Sequence, residues 1–207
     1  MTVQSDDGLQ RISDEELMSR FCRGHESAFG VLLSRYEREL YGYLRRYLGD
    51  ADLAEDVFQN TFFQLHQKSD QYGHGRPFRP WLYTIATHQA IDALRRAGRH
   101  PTLSLDQRQG VSDDGEVRSL LELLETRGAG PLETAQEKER QERVRAALEQ
   151  LPDFMRQVVI LVYYQGLKYR EAADILEIPV GTVKSRLHAA LVKLQESWST
   201  TPSAWEG

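Results

Sequence analysis

Cysteine is almost missing from this chain. Cys22 stands alone among 207 residues, which excludes an internal disulfide and fits a reducing compartment. Long apolar runs are missing too. The longest stretch free of Asp, Glu, Lys and Arg covers the twelve residues 80–91, polar and well short of the ~20 apolar residues of a membrane helix. The first twenty residues are acidic and lack an apolar centre, so neither a secretory signal nor membrane insertion is expected, and the cytoplasm is the expected compartment. There is no Gly-rich phosphate loop, no Gly-x-Ser-x-Gly elbow and no HExxH zinc motif. Cys22 and His25 have no further ligands at metal spacing, so no metal site, no cofactor and no enzymatic activity are expected. A basic excess is absent as well: 26 Lys+Arg face 31 Asp+Glu, a net charge of −5. That total argues against a protein that coats nucleic acid unaided, and leaves the question to local charge.

What the chain does contain is helical periodicity. Glycine is sparse within two long segments and frequent between them. In the first, residues 14–97, Leu17, Phe21, Ala28, Phe29, Leu32, Leu33, Tyr36, Leu40 and Leu44 recur at spacings of three and four. Gly49-Asp50 interrupts the run, and Asp52 is expected to cap the next helix. That helix puts Leu53, Val57, Phe58, Phe62 and Leu65 on one side and Asp52, Glu55, Asp56, Gln59 and Asn60 largely on the other. The polar side is either a plain solvated surface or a docking face for a basic helix. After a Gly/Pro-rich loop at 71–79, Pro80 is expected to open a helix reaching about Ala97. Residues 98–133 read as a flexible acidic linker. Past Arg99 its seven acids outnumber Arg108, Arg118 and Arg127, and one short helix is expected at 117–126. Helical patterning resumes at Thr134 and runs to Trp198, leaving residues 199–207 as a tail. The expected fold is all-α: two small helical domains, 1–97 and 134–198, joined by that linker.

The most specific signal lies at 167–194. A short helix from about Lys168 to Leu176 offers Ala172, Ala173 and Leu176 to a core, Glu177-Ile178-Pro179 makes the turn, and Pro179 forbids one continuous helix. The following helix places Val183, Leu187, Ala190, Leu191 and Leu194 inward and leaves Thr182, Lys184, Ser185, Arg186 and His188 outside. This is a helix-turn-helix, whose second helix enters the major groove and reads bases with its early residues. Leu148, Leu151, Val158, Val159, Leu161 and Val162 are expected to brace it, with a capped helix break at Leu151-Pro152-Asp153. A second basic constellation runs from Arg76 to His100, where five arginines face one acid, Asp92, and Phe78, Trp81 and Tyr83 are interleaved. Single-stranded nucleic acid needs this combination of backbone-tracking cations and stacking rings. The alternative, with Trp81, Leu82 and Ile85 in the core and the arginines merely solvated, stays open at this point.

Together these segments resemble the bacterial RNA polymerase sigma factors of the sigma-70 family, in their small, two-domain, extracytoplasmic-function (ECF) form. DLAEDVFQNTF (52–62), FRPWLYTIA (78–86), AIDALRR (90–96), Leu151-Pro152 and IPVGTVKSRL (178–187) carry the resemblance, in the family's order. It implies that Asp52, Glu55, Asp56, Gln59 and Asn60 dock on the clamp coiled coil of the core polymerase's largest subunit. It implies that Phe78, Arg79, Trp81, Thr84, His88, Arg95 and Arg96 bind and melt the minus-ten element of promoter DNA, with a flipped base held beside the loop 68–79. It further implies that Lys168, Tyr169, Arg170, Thr182, Lys184, Ser185, Arg186 and His188 read the minus-thirty-five element, that the linker threads near the polymerase active centre, and that an anti-sigma factor is a further partner. His88 stands where the family often has Asn, and Asn60 where an acid is common; the linker is longer than in the shortest members. Two rival readings remain at this stage. One is a free-standing helix-turn-helix regulator that binds paired half-sites as a dimer; the other is an interaction protein that touches no DNA.

Overall fold

The computed structural model describes residues 6–73, 75–98 and 135–199, which fall into two compact units, one on each side of residue 100. The expected helix at 117–126, almost all of the linker and nearly the whole tail lie outside the described residues. Among the described residues every regular element is helical, as the periodicity predicts.

The first unit contains α1 (Asp6–Leu9), α2 (Asp14–Cys22), α3 (Glu26–Leu48), α4 (Ala51–Gln67), a 3₁₀ turn (Ser69–Gln71) and α5 (Phe78–Arg96). The long periodic run of 14–48 is broken once. Gly24, at φ 92°, separates α2 from α3, a conformation that glycine adopts without a Cβ penalty. Asp50, not Asp52, caps α4: its carboxylate accepts from the Asp52 and Leu53 amides, both at 3.1 Å. Asp52 sits two residues too far in and faces solvent instead. Helix α5 starts two residues before Pro80, which is tolerated in the first turn because amides there have no intrahelical partner. Leu17, Met18, Leu32, Leu40, Leu44, Leu65 and Leu82 are completely buried with Tyr43, Phe78 and Tyr83. A buried hydroxyl pair, Tyr43 with Thr87 at 2.7 Å, joins α3 to α5.

Helix α2 braces the other helices through neighbouring carboxylates. Asp14 accepts from Arg35 and from the Tyr36 hydroxyl, both on α3. Glu15 reaches across to α5, where its Oε1 accepts from the Phe78 amide at 3.1 Å. That bond holds the Glu15 carboxyl below its ordinary pKa of 4.5. It also takes the place of the local cap that Pro77 cannot supply.

The second unit contains α6 (Ala135–Gln150), α7 (Asp153–Val159) continued by a π-helical turn (Ile160–Tyr164), α8 (Tyr169–Leu176) and α9 (Val180–Ser199). The break at Leu151-Pro152 is present, but Pro152 occupies the cap position and Asp153 instead pairs with Arg156. Val158, Val159, Ile160 and Leu161 are fully buried beneath Ala172, Ala173, Val183, Leu187, Ala190, Leu191 and Leu194. Val162 is only half-buried, and Ile175 rather than Leu176 fills the α8 core position.

Candidate nucleic-acid interface

The turn between α8 and α9 is built from backbone. Glu177 adopts the left-handed region at φ 54°, and the Ile178 amide closes back on the Ala173 carbonyl at 3.1 Å. The Pro179 carbonyl then accepts from Thr182 and Val183 at 2.9 and 3.1 Å and starts α9. At the other end of α8, the Glu171 carboxylate accepts from the Lys168 amide at 2.8 Å, fixing where that helix begins.

These two helix starts carry the expected base-reading residues, in unequal states. Lys168, Tyr169, Arg170 and Lys184 are exposed, and the Lys184 ammonium lies 5.9 Å from the centre of the Tyr169 ring, tying the two edges together. Among the described residues no acid pairs with Lys168, Arg170 or Lys184, so those three charges face outward. Thr182, Ser185, Arg186 and His188 are half-buried. The Ser185 hydroxyl donates to the Thr182 carbonyl at 3.1 Å, and the Arg186 guanidinium lies over the Phe154 ring of α7 at 5.3 Å.

The arginine-aromatic segment of α5 divides the same way. Phe78 is wholly buried and Trp81 is 7% exposed, its ring 5.0 Å from that of Tyr72. Both rings pack in the core, which for Trp81 is the alternative that the sequence leaves open, and Phe78 offers no exposed face for stacking. Arg79 is also committed internally. It pairs with Glu39 of α3, which accepts from the Tyr83 hydroxyl as well at 3.0 Å. Burial lowers the Arg79 pKa, but the hydrogen bond and charge of Glu39 together outweigh it, and the guanidinium sits above its ordinary value. Thr84 and His88 are half-buried; the Thr84 hydroxyl donates to the Pro80 carbonyl at 2.8 Å. Thr84, His88 and Arg95 share one helical face at spacings of four and seven. Arg95 and Arg96 are exposed beside Asp92, bonding its carboxylate and its carbonyl respectively.

On α4 all of Asp52, Glu55, Asp56, Gln59 and Asn60 are exposed, with Gln59 donating to Glu55 at 2.9 Å. Phe63 continues that face, four residues after Gln59 and 61% exposed. Its helical phase relative to Gln59 and Asn60 is the signal in the sequence that puts it there. The Cys22 thiol donates to the Ser69 carbonyl, and no metal-holding cluster occurs among the described residues.

Comparison with known proteins gives these surfaces a family. Residues 32–100 match Sigma-70 region 2 and residues 141–194 match Sigma-70 region 4. The chain is 30% identical over 182 residues to the RNA polymerase sigma-H factor of Pseudomonas aeruginosa, covering 88% of this chain and 92% of that one. It is an ECF sigma factor of the sigma-70 family. Identity to the ECF sigma factor SigW of Bacillus subtilis is 31% over 166 residues, 80% of this chain and 86% of the relative. In fold, this sigma factor resembles CnrH, solved with the cytosolic domain of CnrY, at a TM-score of 0.65 and 24% identity over 91% of this chain and 99% of that one. It also resembles RpoE of Bartonella quintana, solved with the anti-sigma factor NepR, at 0.60 and 23% over 84% and 98%. The region 2 match takes in the acidic face of α4 and all of α5; the region 4 match takes in the helix-turn-helix. Among the described residues of the sigma factor, no helix is long and apolar enough to cross a membrane.

Proposed function

We propose that this chain directs promoter-specific initiation by docking on core RNA polymerase through α4 and reading two promoter elements with its two units. As a sigma factor it is a transcription initiation factor; the polymerase does the chemistry. The observation that carries the finer reading is the division of α4 and α5 within one unit. An exposed acidic face on α4, ending in Phe63, suits a basic helical partner, while the outward cations of α5 suit a DNA backbone.

In this reading Thr84 and His88 face the upstream edge of the minus-ten element, and Arg95 and Arg96 hold its phosphates. A flipped base enters beside the loop 68–79. Trp81, Phe78 and Tyr72 form the aromatic floor that keeps this loop and the start of α5 in place. Flipping costs a few kcal/mol of unstacking, so easily melted steps are preferred. Lys168, Arg170 and Lys184 dock on phosphates or base edges of the minus-thirty-five element, with Thr182, Ser185, Arg186 and His188 behind them. Each DNA surface is weak alone. Once both units sit on one polymerase, the second contact forms at high effective concentration. The net charge of −5 fits this design, because it discourages binding to DNA without polymerase. The complex of RpoE of Bartonella quintana with an anti-sigma factor supports a partner of that kind for this sigma factor.

In vitro transcription with bacterial core polymerase on the promoter of the factor's own gene tests the reading, with core binding scored in the same tube. A discrete transcript that requires the protein, and is lost in Asp56→Lys together with core binding, is expected. Neither transcript nor core binding would overturn the reading in favour of a free-standing regulator.

A further inference from the structure

Within the helix-turn-helix, the exposed groups at the start of α9 are not all hydrogen-bond donors. Val180, its first residue, is 39% exposed, and Tyr169, the first residue of α8, is equally so. Lys184 stands one turn after Val180 on the same helical face, and its ammonium reaches over the Tyr169 ring. An isopropyl group and the aliphatic stem of a lysine are therefore neighbours on one helical face, and that lysine's ammonium lies over an aromatic ring. The polar neighbours are partly spent on the protein: Ser185 on the Thr182 carbonyl, Arg186 on Phe154.

Early residues of a recognition helix meet base edges in the major groove. The one apolar group displayed there is the C5 methyl of thymine, and small apolar side chains read it by contact. Lys168, Arg170 and Lys184, with no acid paired to them among the described residues, supply the charge that brings a DNA duplex to this edge. We infer that Val180 is a specificity-determining residue that reads the methyl group of one thymine in the minus-thirty-five element, beside the base or phosphate engaged by Lys184. This rests on the C-terminal unit reading DNA, as proposed above.

Replacing thymine by deoxyuridine removes that methyl and leaves every hydrogen-bonding group in place. Upstream sequences are first selected from a randomised library by the full chain bound to core polymerase. Each thymine of the selected element is then replaced singly by deoxyuridine, and competition binding is measured for the wild type, Val180→Ala and Val180→Thr. One position is expected to lose about four-fold in affinity with the wild type, as burial of a single methyl group implies. Val180→Ala should bind the thymine and deoxyuridine forms of that site equally well, and Val180→Thr, which keeps one methyl, should retain part of the difference. Val180 is exposed, so neither variant should disturb folding, and circular dichroism checks this. The inference is overturned if wild type tolerates deoxyuridine at every position, or if Val180→Ala keeps the full discrimination. Failure to select any upstream sequence from unmodified DNA would instead overturn the reading of the C-terminal unit itself, and the inference with it.

Discussion

Replacing Trp81 by alanine separates a ring that holds the fold from one that stacks on a base. The indole is 7% exposed and lies 5.0 Å from the Tyr72 ring and 6.3 Å from that of Phe78, which is itself fully buried. Removing an aromatic side chain from such packing costs about 3–5 kcal/mol, because the lost transfer energy is joined by an uncollapsed cavity. A domain of ordinary stability holds on the order of 5–15 kcal/mol, so the change consumes a large share of it. For a unit of about one hundred residues each kcal/mol is worth roughly 4–8 °C, which places the fall in melting temperature on the order of 20 °C. Circular dichroism melting of the full chain is the assay. The C-terminal unit contains none of these rings, so its transition serves as an internal reference that should not move. Trp81→Phe, which keeps most of the packing, should recover a large part of the loss. If Trp81→Ala melts like the wild type yet fails to open promoters, the argument from burial is wrong and the ring belongs to the DNA interface.

Three other outcomes follow from the geometry. Asp50→Ala should cost about 1 kcal/mol of thermal stability through the lost cap of α4, whereas Asp52→Ala should leave melting unchanged and weaken core-polymerase binding measured by fluorescence anisotropy. Glu15 has its folded-state pKa lowered, so its contribution is present above the ordinary value of 4.5 and is lost as pH falls through the folded-state value. Acid titration of melting temperature should show that loss in the wild type and a shallower slope in Glu15→Gln. Glu177 sits at φ 54°, so Glu177→Val should destabilise the C-terminal unit by about 1 kcal/mol in urea titration and leave the N-terminal unit untouched.

Where one narrow stripe of a helix is buried, its phase was legible in advance. On α9 the five inward positions, Val183, Leu187, Ala190, Leu191 and Leu194, are all buried as the spacing predicts. Helix α5 resisted the same reading. Ten of its residues, from Phe78 to Leu94, are buried around much of its circumference, and Trp81 falls in phase with the polar stripe of Thr84, His88 and Arg95, so periodicity alone could not place it in the core. Caps were displaced for a different reason. Asp50 and Asp52 are chemically equivalent candidates, and only the backbone decides which reaches the free amides. The π-helical turn at Ile160–Tyr164 left no composition signal, since its residues are ordinary core formers. The site was legible as residue types and not as states. Arg79 counts as a free cation in sequence, but Glu39, forty residues earlier, already neutralises it; Phe63 is apolar yet follows the polar phase of α4, so residue type alone does not place it on the exposed face.

The Glu15 bond to the Phe78 amide spans 63 residues and does the work of a local cap. The opening turn of α5 is therefore capped from outside its own helix, and that cap lasts only while α2 lies against it. Peeling α2 away would leave the first amides of α5 without that carboxylate, at a cost of about 1 kcal/mol, and would release Arg35 and Tyr36 of α3 in the same movement. Two adjacent acids thus make the fraying of one short helix and the loosening of two long ones a single event, which hydrogen exchange would register as one protection class running through α2 and the first turn of α5.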